Sequence, residues 1–289
     1  MNHFEVEQKH LETHFSVNCH GRLVDLSGPM VMGIINVTPD SFYPGSRTPN
    51  KEDVLGRVDK ILEEGGEIID IGACSTRPGA DDLSDEEEGR RLWPVLELIR
   101  EKHPGVLISL DTYRSFIARK AVEAYGVDII NDISGGDIDP AMFETIAALK
   151  VPYILMHIQG TPESMQNNPR YDDVTGEVVH KLAQKVDQLR SLGVADVIID
   201  PGFGFGKTIA HNFQLLHDLE QFKMFERPLL VGVSRKSMIY KYKGGGPEDA
   251  LNGTSVLNTL ALTKGANILR VHDVKEAVEC VKLVTKTGL

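Results

Sequence analysis

The chain has 289 residues, and 42 acidic residues against 31 basic ones give it a formal net charge of −11. This balance argues against non-specific binding to nucleic acid or to an anionic membrane, because both require a basic surface. The three cysteines form no CxxC pair, and the chain shows neither a signal-peptide pattern nor an apolar run long enough to cross a bilayer. We therefore expect reduced thiols in a cytoplasmic protein.

Eight segments repeat one pattern after residue 28. Each is a short β-branched apolar run that ends in polar residues, and a helix-patterned segment follows nearly every run. The runs are Met30–Asn36, Glu67–Gly72, Val106–Asp111, Asp128–Asp132, Pro152–His157, Asp196–Asp200, Pro228–Ser234 and Asn267–His272. Buried strands that alternate with helices predict an α/β protein with a (β/α)8 TIM barrel, whose active site lies at the carboxyl ends of the strands. We expect a single barrel domain over residues 29–289. Residues 1–28 form an N-terminal extension, predicted as a short hairpin at the bottom of the barrel.

Local signals support the predicted helices. Ser84, three residues before Glu87, is typical of a helix N-terminus, and Pro94 inside that helix predicts a kink or a break. A later helix carries an apolar stripe formed by Val174, Val178, Leu182, Val186 and Leu189.

Polar residues collect where the predicted strands end. The carboxamide of Asn36 could bind a divalent metal or a phosphate, although taken alone it is better explained as a turn residue. Asn131 and Asp132 end the fourth strand. Asp111 and Asp200 each end an apolar strand that should be buried on both faces, where an unpaired carboxylate is costly. For these two we favour a ligand with ring N–H or amino donors over a role in capping the next helix.

A glycine-rich stretch runs from Pro201 to Thr208. It is not a Walker A phosphate loop, because Pro201 stands where that motif needs its first glycine. We interpret the stretch as a flexible loop that brings its backbone and Phe205 close to a ligand.

Cationic residues follow the last two predicted strands. Lys236 follows the seventh strand, and Arg270 and His272 lie two positions apart on the eighth, so they share one face. A helix that begins near Ser237 adds backbone N–H groups. The cluster predicts an anion site where barrels often bind phosphate. One alternative is that these basic side chains are simply solvated. Another is a Schiff base on Lys236, and the neighbouring Arg235 makes this second alternative less favourable.

Together these motifs resemble the dihydropteroate synthase family of pterin-binding barrels. They follow one another from the first strand to the last and span nearly the whole chain after residue 28. The matching motifs are Asn36-Val37-Thr38-Pro39-Asp40-Ser41-Phe42, Ser75-Thr76-Arg77-Pro78-Gly79, Leu110-Asp111-Thr112, Asn131-Asp132-Ile133-Ser134-Gly135, Met156-His157-Ile158-Gln159-Gly160-Thr161-Pro162, Asp200 to Thr208, Ser234-Arg235-Lys236-Ser237, Asn252-Gly253-Thr254 and Arg270-Val271-His272-Asp273.

The resemblance implies a reaction between two small molecules. In this family the amine of p-aminobenzoate displaces pyrophosphate from 6-hydroxymethyl-7,8-dihydropterin pyrophosphate and gives 7,8-dihydropteroate. Mg2+ accompanies the pyrophosphate, which leaves before the amine attacks. The resemblance also implies a homodimer, a place in folate biosynthesis and inhibition by sulfonamides.

The resemblance also implies roles for individual residues. The implied pterin pocket consists of Asp111, Asn131, Asp200, Lys236 and Met156. The pyrophosphate is implied to lie on Arg270, on His272 and, through Mg2+, on Asn36. The implied p-aminobenzoate contacts are Phe42, Thr76, Arg77, Pro78 and Ser237. We expect catalytic roles for Asp111, Lys236, Arg270 and His272, and a binding role for the other protein contacts, including Phe205.

The chain departs from the family pattern in two loops. Cys74 replaces a glutamate that usually precedes the Ser-Thr-Arg-Pro-Gly motif, and Tyr43-Pro44 follows Phe42 where the family usually has Ser-Asp. Both changes bear on how these loops close and on the response to sulfonamides. The alternatives are a methyltetrahydrofolate-binding methyltransferase domain, which handles no pyrophosphate, a catalytically silent pterin-binding protein, and a Schiff-base aldolase.

Overall fold

The computed structural model describes residues 14–37, 51–74 and 83–288. The strands in these ranges are β1 Ser16–Cys19, β2 Arg22–Asp25, β3 Met30–Asn36, β4 Ile68–Gly72, β5 Leu107–Asp111, β6 Ile129–Asp132, β7 Tyr153–Met156, β8 Val197–Asp200, β9 Leu230–Val231 and β10 Ile268–Val271. The last eight form one parallel sheet in the order β8-β7-β6-β5-β4-β3-β10-β9. The sheet closes where the amide of Ile199 donates to the Pro228 carbonyl at 2.9 Å, next to a bridge between Ile199 and Leu229. The predicted (β/α)8 barrel is confirmed.

Helices connect the strands around the outside of the barrel. They are α1 Lys51–Glu63, α2 Asp85–Lys102, α3 Ser115–Tyr125, α4 Met142–Leu149, α5 Val174–Ser191, α6 Ile209–His217, α7 Ser237–Lys243, α8 Leu251–Thr263 and α9 Val274–Lys286. The hydroxyl of Ser84 caps α2 by accepting from the amide of Glu87 at 3.2 Å. This helix runs past Pro94 without dividing in two, because its buried apolar face continues on both sides of the proline. None of the described helices combines the length and the hydropathy that a membrane span requires.

The interior of the barrel is apolar at its amino-terminal end. Each strand contributes one buried side chain to this layer, except that β3 contributes two: Met30, Met32, Ile68, Leu107, Ile129, Ile154, Ile198, Leu230 and Ile268. The antiparallel hairpin of β1 and β2 packs against the same cluster through Val17, Cys19, Val24 and Leu26. This end of the molecule is therefore a packed core, covered by the hairpin.

The interior becomes polar two residues further along the strands. Because side chains alternate between the two faces of a strand, residues two positions apart point the same way. The residues two positions beyond the apolar layer include Asp70, Ser109, Asn131, Met156, Asp200 and Arg270. The fold thus gathers these residues, which are far apart in the sequence, at the carboxyl end of the barrel.

Candidate active site

Asp70 on β4 lies at the centre of the polar layer, and its side chain is 0% exposed. It accepts hydrogen bonds from the hydroxyl of Ser109 at 2.6 Å and from Nε of Arg270 at 2.6 Å. The carboxamide nitrogen of Asn131 donates to both of its oxygens, at 3.3 and 3.2 Å. Asp70 is not among the site residues predicted from the sequence, because it lies inside an apolar strand rather than at its end. A charged residue in such a run was the signal that could have identified it.

Asn131 on β6 is the one predicted pocket residue with a buried atom that lacks a partner in the described part of the chain. Its side-chain nitrogen donates to Asp70, whereas its Oδ1 is buried and accepts no hydrogen bond from the described residues. A buried carbonyl oxygen without a donor is costly. An N–H donor on a bound ligand would satisfy it.

Arg270 on β10 connects two of the carboxylates. Its Nε donates to Asp70, and its Nη2 donates to Asp111 at 2.7 Å. Burial lowers the pKa of Arg270, but the two carboxylates outweigh this effect and raise the pKa above its ordinary value. Burial also raises the pKa of Asp111, while Arg270 opposes that shift. The guanidinium is thus a permanent cation held in a fixed position.

Asp200 and Lys236 follow neighbouring strands at the same end of the barrel. Burial raises the pKa of Asp200, and Lys236 opposes that shift. Burial lowers the pKa of Lys236 to about 8, and Asp200 opposes that shift. The ammonium of Lys236 donates to the carbonyl of Phe203 and lies 4.7 Å from the centre of the Phe205 ring. A buried carboxylate and a partly buried ammonium therefore lie at the ends of neighbouring strands, and the ammonium faces an aromatic ring.

An apolar cluster forms one wall of this region. Met156 packs with Ile133, Ile158 and Met165, and Phe205 lies against the same cluster. Apolar walls with a few convergent polar groups are typical of small-molecule sites. Met156 and Phe205, which the sequence predicts as ligand contacts, thus lie in an apolar wall beside the polar residues.

The glycine-rich loop after β8 encloses one buried lysine. Lys207 is 3% exposed, and its side-chain nitrogen donates to the carbonyls of Gly202 at 2.8 Å and Phe205 at 3.1 Å. It also lies 3.0 Å from Nδ1 of His157, the residue that follows β7. The glycines supply left-handed backbone conformations, with φ of 72° at Gly202. The buried lysine then holds that backbone in one arrangement.

The predicted anion-binding residues lie around the ends of β9 and β10. The ring nitrogen Nδ1 of His272 lies 3.1 Å from the hydroxyl of Ser234. Desolvation and the charge of Arg270 lower the pKa of His272 to about 4, although the residue retains an exposed surface. Ser237 is the first residue of α7, and the side chain of Asn36 is exposed at the end of β3.

Arg235 has a structural role at this end of the barrel. Its guanidinium forms two hydrogen bonds to Asp273, at 2.8 and 2.7 Å. It occupies a left-handed conformation with φ of 53°, and its backbone amide donates to the hydroxyl of Thr254 at 3.1 Å. Lys236 follows it directly, so these bonds fix the direction from which Lys236 enters the site.

Four predicted contacts, Phe42, Thr76, Arg77 and Pro78, lie outside the described residues. The described residues that flank the second segment share one partner. Arg114 donates to the thiol of Cys74 at 3.4 Å and to the carbonyl of Leu83. Burial raises the pKa of Cys74 to about 12, so this thiol is not an activated nucleophile.

Comparison with known proteins gives one consistent set of relatives. Residues 32–272 match the family described as pterin binding enzyme. The dihydropteroate synthase of Escherichia coli is 43% identical over 269 residues, which are 92% of this chain and 94% of that protein. The dihydropteroate synthase of Haemophilus influenzae is 40% identical over 271 residues, which are 93% and 98% of the two chains.

Solved structures agree with the sequence relatives. A crystal structure of the Yersinia pestis dihydropteroate synthase with a sulfonamide drug complex matches with a TM-score of 0.89 at 39% identity, over 95% of this chain and 99% of that chain. A structure of the Xanthomonas albilineans dihydropteroate synthase with 4-aminobenzoic acid matches with a TM-score of 0.87 at 38% identity, over 94% and 98% of the two chains. Sequence and structure therefore identify the same relatives.

Proposed function

The chain belongs to the dihydropteroate synthase family, and we propose that its pterin substrate binds against the polar layer of the barrel and reacts at the carboxyl ends of the strands. The chain is a transferase of folate biosynthesis. The reaction joins 6-hydroxymethyl-7,8-dihydropterin pyrophosphate to p-aminobenzoate and releases pyrophosphate.

The buried Oδ1 of Asn131, which accepts no hydrogen bond from the described residues, carries the proposal for the pterin pocket. In this arrangement Asn131 and Asp200 accept from the ring N–H and the amino group, and Lys236 donates to an acceptor on the ring. Met156 and Phe205 cover the apolar faces of the ring. The site offers two acceptors and one donor within an apolar wall, which complements a pterin edge.

Arg270 and His272 would bind the departing pyrophosphate. Arg270 is cationic at every accessible pH and already lies in place, so it can stabilise negative charge as that charge develops. The carboxylate of Asp111, next to Arg270, would face the cationic pterin that forms when pyrophosphate leaves first. No strong base is needed, because an arylamine nucleophile is neutral at pH 7.

The residues at this end of the barrel suit Mg2+ only together with the substrate. The described residues contain no cluster of three His, Cys, Asp or Glu side chains that could hold a metal, and Asn36 offers a single exposed carboxamide oxygen. Mg2+ commonly takes one or two protein ligands and fills its remaining positions with phosphate oxygens and water. Asn36 therefore fits as its protein ligand. When bound, Mg2+ would neutralise charge on the pyrophosphate.

The p-aminobenzoate contacts rest on the resemblance. Ser237 at the start of α7 would meet the carboxylate of p-aminobenzoate. Phe42, Thr76, Arg77 and Pro78 would cover this substrate from the two loops that lie outside the described residues. A homodimer in the cytoplasm completes the proposal. The three cysteines of the chain are all free thiols, as a reducing compartment requires.

The deciding assay measures pyrophosphate release from dihydropterin pyrophosphate and Mg2+, with and without p-aminobenzoate, while mass spectrometry detects dihydropteroate. We expect Asp200→Ala to abolish pterin binding and Arg270→Ala to weaken mainly pyrophosphate binding. Asp196→Ala, at the opposite end of β8, serves as the control and should behave like the wild type. Equal loss of both ligands in both site variants would contradict the proposed division of the site.

A further inference from the structure

Asp70 determines which edge of Asn131 faces the substrate. A carboxylate can only accept hydrogen bonds, so a side chain that contacts both of its oxygens must present donors. Asn131 therefore turns its NH2 group towards Asp70, at 3.3 and 3.2 Å, and directs Oδ1 away from it. Both residues are fully or almost fully buried, at 0% and 2% exposure, so solvent does not compete for these bonds.

The other partners of Asp70 hold the carboxylate itself in place. Ser109 donates to Oδ1 at 2.6 Å, and Nε of Arg270 donates to Oδ2 at 2.6 Å. The three donors come from β5, β6 and β10, so the carboxylate joins three strands of the barrel. Its position is fixed from several directions, which leaves Asn131 little freedom to rotate its amide.

We infer that Asp70 is a positioning residue that makes Asn131 an obligatory hydrogen-bond acceptor, so that the pocket selects a heterocycle that presents an N–H donor at this edge. The inference rests on the proposed placement of the pterin. It extends that proposal by assigning the specificity at this edge to a residue that need not touch the substrate. A ring that presents an acceptor to Asn131 would leave two acceptors facing each other.

Asp70→Asn tests this inference, because an amide at position 70 can donate as well as accept. Asn131 is then free to rotate and to present its NH2 group to the ligand. We expect the affinity for 6-hydroxymethylpterin, measured by calorimetry, to fall roughly tenfold or more, the effect of an unsatisfied buried group. The KM for p-aminobenzoate should change by less than about twofold, because that substrate lies elsewhere in the site.

The affinity for inorganic pyrophosphate should change in the opposite direction to the affinity for the pterin. Asp70→Asn removes one negative charge beside Arg270, so inhibition by pyrophosphate should become stronger while pterin binding becomes weaker. Damage to the fold would weaken both ligands together. Asp132→Asn is the matched control, because Asp132 is also fully buried on β6 but accepts from Tyr153 and Ser134 instead. It should leave the affinity for both ligands close to that of the wild type.

Exchange of the two side chains completes the test. In Asp70→Asn/Asn131→Asp, the new amide can donate to the new carboxylate, which keeps an oxygen for the ligand and restores the net charge. Pterin affinity should recover at least about tenfold relative to Asp70→Asn. An unchanged pterin affinity in Asp70→Asn, or no recovery in the double variant, would overturn the inference. Full affinity in Asn131→Ala would instead contradict the proposed pterin placement.

Discussion

Lys236 titrates in a pH range in which the protein can be assayed. Burial lowers its pKa to about 8, so the side chain is a cation below that pH and a neutral amine above it. If the cation donates to the pterin, pterin affinity should fall as the pH rises through about 8, by up to about tenfold per pH unit. Calorimetry between pH 6.5 and 9.5 measures this dependence.

The control for this titration is Lys236→Met. Any titration of the ligand itself affects this variant and the wild type equally, but the variant has no amine at position 236. Its pterin affinity should therefore be weaker and should show no inflection near pH 8. Met156→Leu changes the apolar wall without changing any charge and should retain the inflection. The same inflection in Lys236→Met would assign the titration to another group.

Glu88 and Arg114 form a buried ion pair behind the site. Glu88 is 0% exposed, accepts from Arg114 at 2.5 Å and also accepts from the hydroxyl of Thr112 at 2.8 Å. Arg114→Met would leave the carboxylate buried without its cation, which typically costs about 3–5 kcal/mol of stability. Urea unfolding measures the loss, and Arg119→Met, which breaks an exposed pair with Glu123, should cost less than about 1 kcal/mol. A loss of that smaller size in Arg114→Met would show that the pair contributes little.

The loop that follows β8 depends on one buried amine. Lys207 bonds the carbonyls of Gly202 and Phe205, so Lys207→Met should release the loop and displace Phe205 from the apolar wall. We expect faster hydrogen exchange in residues 201–208 and at least about tenfold weaker pterin binding. Lys102→Met removes an exposed lysine from the far end of α2 and should change neither measurement. Unchanged exchange in Lys207→Met would show that the glycine-rich backbone holds its shape without the amine.

The strands were predictable because each buried strand is a short apolar run that stops at polar residues. Six of the eight match the prediction to within a residue at each end, and β3 matches fully, whereas the segment 228–234 shortens to Leu230–Val231.

The site residues Asp111 and Asp200 were likewise predictable, because each one ends a strand. Asp70 was not predictable, because its partners on β6 and β10 are 61 and 200 residues away in the sequence. The role of Lys207 was hidden for a similar reason, since a lysine after glycines gives no sign that the loop encloses it.

Across the whole molecule, stability and chemistry occupy opposite ends of the barrel. The amino-terminal end is an apolar layer closed by the hairpin, whereas the carboxyl end contains buried carboxylates and cations. Buried charges contribute little net stability, because desolvation offsets their attraction. The apolar end therefore supplies the rigidity that keeps Asp70, Asn131 and Arg270 in register across three strands.

The outer surface of α8 and α9 is where we expect the proposed homodimer to form. Val256 and Leu260 lie one turn apart on α8 and are exposed, and Leu283 is exposed on α9, which packs against α8 where Cys280 contacts Ser255. A charge placed among these residues would be buried without a partner in a dimer, so Leu260→Glu should produce a monomer in analytical ultracentrifugation. Phe116 lies on α3, across the barrel, and is more exposed than Leu260, at 58% against 43%. Phe116→Glu should nevertheless leave the dimer intact. A dimer that survives Leu260→Glu but dissociates in Phe116→Glu would move the interface to the opposite side of the barrel.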